Sequence, residues 1–579
     1  MMPVKDYIIN IADIIIEIGL IGLIIFMPLL YGSVEVWSQT IFELCILFIF
    51  LIWMLKVCVG SEQTIYKNKL DLPIIIFFIL VIISRFTSIY PHLSQLALYR
   101  ITTYILLYFI LANNFITFSK LQRLVLYIVT MGTIISLIGI IGYFNKNILL
   151  SIWPYASFST FTTNSHFAGY IGTIFPLSLA MALYSNIRKK TYFIFSSTII
   201  ATSVLFCQDR GGWVQFLSAV ISLIIFINFS GLLKRKWATL LFVFILVIWA
   251  VSFYGFQPII KRLEAIFTLH FESSPEAPIW QRWIYWQDTI KMIKAHPVFG
   301  TGIGTFSIAY PQFRSPEQNY FLNYAHQDFL QLASEMGLVG LAVFGWILLS
   351  FFKLGFKIIK TKIASSGKMQ IAGSLAGVFG LLVYSFYDFN LHIPSNAVAF
   401  IILFAMVPAF LISQNSGIKN TFQINLKLNF FPRIVIFLIG IYFITFIASS
   451  IIKPHLAYLH YEKGQVFEEA LDWDKAIEEY NEAKRLDPTD SSYYYALGKI
   501  YTARAQFGFL DRDYVELAIN NYNKAIRLNP YQGEYYLALG MFYNILGSRE
   551  LASDNLNKAL SLDPTNQYYH SAFDILLNK

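Results

Sequence analysis

Three charged or titratable side chains with the chemistry of a transfer reaction stand in a chain that is otherwise mostly apolar: Arg210, Arg282 and His326. An arginine binds a phosphate group through two parallel hydrogen bonds and stays charged at any physiological pH. A histidine titrates near neutral pH and is the commonest general base. This set of residue types therefore points to a site that could hold an anionic group and accept a proton.

Arg210 lies in the short turn QDRGGW between two apolar runs. Two glycines follow it, and glycine allows the backbone to approach a ligand closely. The next span begins here, so the positive end of its helix dipole favours an anion at this turn. An interfacial arginine that reaches toward lipid headgroups is an equally acceptable interpretation.

Arg282 lies among Trp280, Trp283 and Trp286. This pattern is typical of an amphipathic helix that lies at the membrane interface. Such a helix would hold Arg282 at headgroup depth, where the phosphate of a lipid-linked substrate would also lie.

His326 belongs to the polar, glycine-rich segment 295–340, which also holds Arg314 and the glycine turn 300–304. A lone histidine is more often hydrogen-bonded in a structural role than catalytic. The glycines lack the Lys-Ser/Thr of a phosphate-binding loop, so we interpret them as a turn. Asp388 and His392 fill another turn, which the topology below places on the same side, and they could orient His326. The sequence shows no metal-ligand spacing.

The elements that must position these residues are membrane helices. Only 13% of the 579 residues are charged, against about 25% in soluble domains. We predict an all-α polytopic membrane protein with about 12–13 spans, each of roughly 20 residues. The thirteen candidate spans are 12–30, 41–59, 72–90, 97–115, 122–143, 166–185, 191–207, 212–230, 237–255, 328–356, 369–388, 395–413 and 433–452.

Lys and Arg alternate between the short loops in a way that places the N-terminus in the cytoplasm. The long segment 256–327 then lies on the extracytoplasmic side, and an odd number of spans places the C-terminal part there too. Residues 1–452 have a net charge of +14 and residues 453–579 of −5. The basic excess belongs to the membrane part, so we do not interpret it as nucleic-acid binding.

Residues 453–579 form the second predicted domain, after a membrane domain of residues 1–452. The tripeptides that end at Pro530 and Pro564 are 34 residues apart, and the pattern WxKAIxxYxxAxxLxP begins at Trp473. A 34-residue period with a closing proline is typical of tetratricopeptide repeats, which stack as an α-solenoid and bind partners. About eight residues are inserted near 506–512.

The segment HPVFGTGIGTF, followed by NYAHQDFLQLASEMGLVGLAVF, resembles the signature region of the O-antigen ligase and polymerase superfamily. The family pattern matches at His326, Leu330 and Glu335 and continues through Gly337, Leu338 and Gly340, with Gln327 where the family has Asn. DRGGW resembles the Ser-Arg-Gly-x-Trp turn of the family, and residues 161–168 resemble its Asn-x-[Phe/His]-x-Ala segment. The resemblance covers roughly residues 10–415.

This resemblance implies an inverting glycosyltransferase of the bacterial cytoplasmic membrane. Its donor would be a glycan on undecaprenyl diphosphate, with no metal, nucleotide sugar or other cofactor. It also implies that Arg210 and Arg282 hold the diphosphate and that His326 is the base toward the acceptor hydroxyl. Apart from the resemblance, we expect Gln327, Arg314, Asp388 and His392 to support His326.

The sequence leaves the acceptor open. Lipid A–core would make the protein an O-antigen ligase, a glycan would make it a polymerase of O-antigen or exopolysaccharide, and a protein would make it an O-oligosaccharyltransferase. Two other classes are a transporter of lipid-linked glycans and a non-catalytic assembly scaffold. The internal symmetry expected of a transporter is not seen. Membrane lipid, and a protein bound by the repeats, complete the expected partners.

Overall fold

The computed structural model describes residues 4–60, 64–232, 237–252, 257, 260–261, 279–316, 321–361, 363–414, 422–425, 430–507 and 511–577. Residues 262–278, at the start of the predicted long segment, lie outside this set. So do residues 508–510, in the predicted insertion, and the side chain of Trp280.

Helices make up most of the described chain, which confirms the predicted fold class. Those of seven or more residues within the first 469 residues are α1 (Val4–Leu29), α2 (Val36–Val59), α3 (Asp71–Phe86), α4 (Pro91–Asn114), α5 (Phe118–Phe144), α6 (Lys146–Ile152), α7 (Asn164–Tyr184), α8 (Ile187–Phe206), α9 (Arg210–Phe229), α10 (Trp237–Ser252), α11 (Ile279–Ala295), α12 (Asp328–Lys360), α13 (Ser365–Tyr384), α14 (Pro394–Ser413) and α15 (Phe430–Glu469).

All thirteen predicted spans fall on these helices. Ten helices in the described part of the chain are long and apolar enough to cross a membrane. The other three predicted spans correspond to α3, α8 and α10. Helices α3 and α10 have 16 residues each, short of the roughly 20 that a bilayer requires, and α8 carries three basic residues in its first turn.

The chain divides into two compact units. The first consists of Met1–Phe78, Ile101–Ser273 and Val343–Thr445, and the second of Ile79–Arg100, Ser274–Ala342 and Phe446–Lys579.

Helices α7, α13 and α14 form the buried centre of the first unit. Helix α13 crosses α7 closely, since a Cβ atom added to Gly377 would lie 2.3 Å from the carbonyl oxygen of Thr173, and one added to Gly373 would lie 2.7 Å from the Cα of Leu177. Small residues at such crossings are how membrane helices gain packing energy without a hydrophobic driving force.

A two-stranded antiparallel sheet in the first unit was not predicted. Strand β1 (Thr64–Lys67) pairs with β2 (Phe422–Asn425), with Thr64 opposite Asn425 and Lys67 opposite Phe422. The pairing satisfies backbone groups of two loops that are far apart in sequence, and no local sequence pattern predicts it.

The tetratricopeptide repeats belong to the second unit and form three helix pairs and a last helix. Helix α15 supplies the first member of the first pair and runs without interruption through the predicted domain boundary at 452/453. The remaining helices are α16 (Trp473–Leu486), α17 (Ser491–Phe507), α18 (Arg512–Leu528), α19 (Gly533–Ile545), α20 (Arg549–Leu562) and α21 (Gln567–Leu577).

Within a repeat, a glycine of the first helix lies under a large side chain of the second. A Cβ atom added to Gly464 would come within 2.4 Å of the ring of Tyr480, and one added to Gly498 within 2.7 Å of the ring of Tyr522. The two glycines are 34 residues apart, as the period predicted, and the two tyrosines are 42 apart because the insertion near 506–512 lies between them.

Candidate active site

Arg210 begins helix α9 in the first unit, directly after the capping residue Asp209. The Asp209 carboxylate accepts a hydrogen bond from the Gly212 N–H at 2.5 Å and another from the hydroxyl of Tyr384. A carboxylate therefore already caps this helix end. This carboxylate takes up one of the N–H groups that would bind an anion, and the anion-binding role of Arg210 stays a prediction.

The two glycines after Arg210 have a packing role that the sequence did not reveal. A Cβ atom on Gly211 would lie 2.2 Å from the ring of Tyr384, and one on Gly212 would lie 2.4 Å from the Cβ of Ala168. Protein atoms thus fill the space that a Cβ would occupy, and the approach of a ligand to this backbone stays a prediction.

The first residue of α7, Asn164, contacts the turn that precedes Arg210. The Asn164 amide donates to the carbonyl of Cys207 at 2.6 Å, and its oxygen accepts from the Ser157 hydroxyl at 2.7 Å. Asn164 belongs to the FTTN segment that carried part of the family resemblance. The structure thus joins two of the short motifs, Asn164 and DRGGW, in one place.

Asp388 and His392 also belong to the first unit. Asp388 is buried and accepts from the N–H of Phe389 at 2.9 Å, while the N–H of His392 donates to the carbonyl of Phe389 at 3.0 Å. The neighbouring Asn390 and Asn396 are fully buried and joined by a 2.8 Å hydrogen bond. His326 belongs to the second unit, so the predicted orienting role of Asp388 and His392 stays a prediction.

His326 in the second unit lies against helix α11. Its backbone has φ of 50°, a left-handed conformation that is uncommon for a residue other than glycine. The ring of Tyr285 lies 6.1 Å from the His326 ring, centroid to centroid, and the indole N–H of Trp286 donates to the His326 carbonyl at 3.4 Å. A strained backbone fixed by neighbours is typical of a functional position.

Arg282 lies on α11 one turn before Trp286, so the helix that contacts His326 also carries Arg282. The interfacial interpretation fits Trp283 but not Trp286. Trp283 is half exposed, as expected at an interface, whereas Trp286 packs in the protein against His326.

Asp288 ties α11 to the loop that follows it. Its fully buried carboxylate accepts from the Tyr310 hydroxyl at 3.2 Å, from Ser315 N–H at 2.9 Å and hydroxyl at 2.6 Å, and from Lys291 Nζ at 2.8 Å. Burial, with the nearby Asp288 charge as a further cause, raises the pKa of the Tyr310 phenol, which therefore stays a neutral donor.

The glycine-rich turn before His326 is clasped by the side chain of Glu335. Its carboxylate accepts from the N–H of Gly304 at 2.9 Å, from the N–H of Phe306 at 3.3 Å and from the Gln331 amide at 2.8 Å. Three glycines of the turn have positive φ angles: Gly300, Gly302 and Gly304. The predicted turn is confirmed, and Gly304 directs its N–H to protein rather than to a nucleotide.

Gly337 completes this clasp from within helix α12. Its φ of 68° and ψ of −176° interrupt the helix, and the N–H of Leu338 donates to the carbonyl of Pro297 at 2.8 Å. The stretch Gly300–Gly304 and the stretch around Glu335 therefore form one hydrogen-bonded substructure. Gln331 extends it toward the histidine, because its side chain accepts from the N–H of Ala325 at 2.6 Å.

Two predicted supporting residues have other partners. The Gln327 side chain accepts from the N–H of Leu330 at 2.5 Å and so caps α12. Arg314 forms an ion pair with Asp563 at 2.7 Å in the repeat domain. These contacts give both residues structural roles, and their predicted support of His326 stays a prediction.

Arg100 and Tyr324 are candidate site residues that sequence reasoning missed. Burial raises the pKa of the Tyr324 phenol, with the Glu335 charge acting in the same direction and the Arg100 charge opposing it. Arg100 thus lies near the phenol of Tyr324, which is two positions before His326 in the sequence. The available signal was a single charge within the apolar run LALYRITTYILL.

Comparisons with known proteins agree with these motifs. Residues 195–345 match the family model described as O-antigen ligase, and this range contains Arg210, Arg282 and His326. Residues 472–503 match a TPR repeat model and residues 533–566 a tetratricopeptide repeat model. No curated protein matches the chain. The predicted resemblance is confirmed, and the matched region supports a function in glycan transfer at a membrane.

Proposed function

We propose, from the O-antigen ligase match across residues 195–345, that this protein is an inverting glycosyltransferase of the bacterial cytoplasmic membrane. It moves a glycan from undecaprenyl diphosphate to an acceptor hydroxyl on the extracytoplasmic face. The observation that carries the proposal is that one matched range contains both arginines and His326.

The reaction forms one bond and breaks one. The acceptor oxygen attacks the anomeric carbon from the face opposite the diphosphate, so the carbon–oxygen bond to phosphate breaks and the configuration inverts. His326 takes the proton from the acceptor hydroxyl, a step that typically contributes about 10² to 10⁴ in rate. Undecaprenyl diphosphate leaves with the bonding electron pair.

Arg210 and Arg282 oppose the negative charge that grows on the leaving diphosphate. Arginines fixed in place stabilise such a transition state because they need no reorientation as the charge develops. The contacts of Tyr285 and Trp286 with His326, and the clasp of the glycine turn by Glu335, support this assignment because they hold the base in one conformation.

The proposed topology places the N-terminus in the cytoplasm and both the long segment and the repeats outside. It rests on the distribution of Lys and Arg and on all thirteen spans crossing, including the short helices α3 and α10. If only the ten long helices crossed, the two ends would share one side. Accessibility of a cysteine introduced in the repeats, at the position of Lys579, to a membrane-impermeant reagent in intact cells distinguishes these arrangements.

The function is tested by a transfer assay in detergent. Purified protein receives a short labelled glycan on undecaprenyl diphosphate, with lipid A–core, free glycan and a cell-envelope protein fraction offered together. We expect wild type to consume the donor and His326→Ala and Arg210→Ala to leave it intact. The labelled product names the acceptor and so separates ligase, polymerase and protein transferase.

Matched substitutions far from the proposed site control this assay. Arg188→Ala removes an exposed arginine of α8, and His460→Gln alters a histidine that pairs with Glu479 in the first repeat. Both variants should consume donor at the wild-type rate. Donor that stays intact with every protein would favour the transporter or scaffold classes, whereas active His326→Ala protein would refute the assignment of the base.

A further inference from the structure

The repeat array contains the same tripeptide twice, at the turn that closes a helix pair. Asp487-Pro488-Thr489 follows α16, and Asp563-Pro564-Thr565 follows α20. Both aspartates are buried. A buried carboxylate needs a charged or hydrogen-bonding partner, so the question is what each turn receives.

The first turn receives His92 from the first turn of α4. The Nδ1 atom of His92 lies 3.1 Å from the Thr489 hydroxyl and 3.5 Å from the Asp487 carboxylate, and its Nε2 lies 3.6 Å from Asp490. The neighbouring Tyr90 donates its hydroxyl to Asp490 at 3.2 Å. A basic ring is thus enclosed by two carboxylates and a hydroxyl.

The second turn receives Arg314 on the equivalent Asp and Thr, with closer contacts to the carboxylate. Its terminal nitrogen donates to both carboxylate oxygens of Asp563, at 2.7 and 2.9 Å, and its Nε donates to the Thr565 hydroxyl at 3.0 Å. Both side chains are nearly buried, at 11% and 12% exposure. In each turn the Asp and the Thr two positions later contact one basic side chain.

The repeat between them differs at the same two positions of its closing turn. Its closing turn reads Asn529-Pro530-Tyr531, so a neutral amide replaces the carboxylate and a phenol replaces the threonine. The Asn529 oxygen accepts from the N–H of Tyr531 at 3.3 Å. A basic side chain would find neither the charge nor the hydroxyl there, which separates docking turns from an ordinary repeat turn.

The second docking turn is joined to the candidate base through a short series of contacts. Arg314 precedes Ser315, whose N–H and hydroxyl both bind the Asp288 carboxylate. Asp288 lies on α11, the helix that contacts His326 through Tyr285 and Trp286. All of these residues belong to the second compact unit.

We propose that the two Asp-Pro-Thr turns are docking sites for basic side chains of the same chain, and that the second turn, through Arg314, holds residues 279–316 in place. Arg314, Asp563 and Thr565 are then positioning residues for His326. The array is a part of the catalytic unit in addition to any role in binding a partner. The docking itself stands independently, and its effect on transfer rests on the proposed function.

Hydrogen exchange measured by mass spectrometry on the full-length protein tests the docking without an activity readout. Arg314→Gln leaves the repeats unaltered and removes the charge from the other side of the contact. We expect exchange in 306–316 and 283–295 to accelerate about tenfold, the change in an opening equilibrium that loss of one charge-assisted hydrogen bond produces. Thr565→Val should give a smaller increase in the same peptides.

Arg485→Gln is the matched control. Arg485 forms an exposed ion pair with Glu482 within α16, so its substitution should change neither peptide. The exchanged pair Arg314→Asp with Asp563→Arg should restore protection that Arg314→Asp alone removes. Equal exchange in wild type and Arg314→Gln, or no recovery in the exchanged pair, would overturn the docking.

The consequence for transfer is measured as a change in kcat. Arg314→Gln should lower kcat, because a displaced base acts less often, and the exchanged pair should restore it. If wild type shows no transfer but Arg314→Gln still loses protection, the proposed function fails and the docking stands. If exchange accelerates and kcat is unchanged, the docking stands and the positioning role is wrong.

Discussion

Replacing Gly337 by alanine should most clearly separate the frame of the site, meaning the residues that hold its backbone in place, from the residues that react. Its φ and ψ of 68° and −176° lie in a region that is essentially restricted to glycine, and a residue with a Cβ pays about 1–3 kcal/mol to adopt it. A Cβ atom would also lie 2.1 Å from the carbonyl oxygen of Val298. Backbone atoms cannot rotate away as a side chain can.

The size of the effect follows from the contacts that must open. Relieving the overlap moves the 298 backbone away from α12 by about 1 Å, since ordinary contacts begin near 3.4 Å. The bonds from Leu338 N–H to Pro297 and from Thr301 N–H to Ser334 span this junction, each contributing about 1 kcal/mol. Together with backbone strain, we expect a loss of about 3–5 kcal/mol at the clasp.

Hydrogen exchange provides the assay, because a local loss of 3 kcal/mol raises the open population about 10²-fold. Peptides covering 297–306 should exchange faster by at least that factor in Gly337→Ala, and transfer activity should fall with them. Gly345→Ala is the control: it lies on the same helix, with no atom within 4 Å of an added Cβ. Equal exchange in the two variants would refute the reasoning.

Three further predictions concern other parts of the site. Glu335→Gln should raise the exchange rate of residues 297–306 about tenfold, because an amide nitrogen would face a backbone N–H that donates to the carboxylate in the wild type. Unchanged exchange would contradict the clasp. Gly211→Ala should lower the free energy of unfolding by about 1–3 kcal/mol through overlap with Tyr384, and adding Tyr384→Ala should recover part of it in thermal unfolding; an additive loss would contradict this overlap. Donor consumption should be the same with and without EDTA, because arginines supply the countercharge; a fall that Mg²⁺ or Mn²⁺ reverses would contradict it.

The sequence predicted the helices well because their signal is local. Every predicted span falls on a helix, and the repeats follow the 34-residue period. It missed what depends on distant partners. Strands β1 and β2 pair across more than 350 residues, and Arg314 finds Asp563 across 249. A residue's type gives its chemistry, but only the fold gives its partner.

The same distinction explains which site residues could be predicted. Arg282 and His326 were chosen for their chemistry, and the structure joins them through α11. The packing role of the glycines at 211 and 212 was missed because a small residue serves ligand approach and close packing equally well in a sequence. Tyr285 and Trp286 were missed as contacts of His326, because aromatic residues on a helix beside a membrane are common without any such role.

Most of the residues that give the signature region its pattern build the frame and not the reaction. Gly300, Gly302 and Gly304 shape the turn, while Glu335 and Gly337 hold it. A match to this pattern therefore supports the placement of His326 more directly than it identifies an acceptor. Variants of the frame and variants of the chemistry should consequently behave differently. Gly337→Ala should lose exchange protection and transfer together, whereas His326→Gln should lose transfer alone, because its carbonyl and backbone contacts do not depend on the imidazole ring.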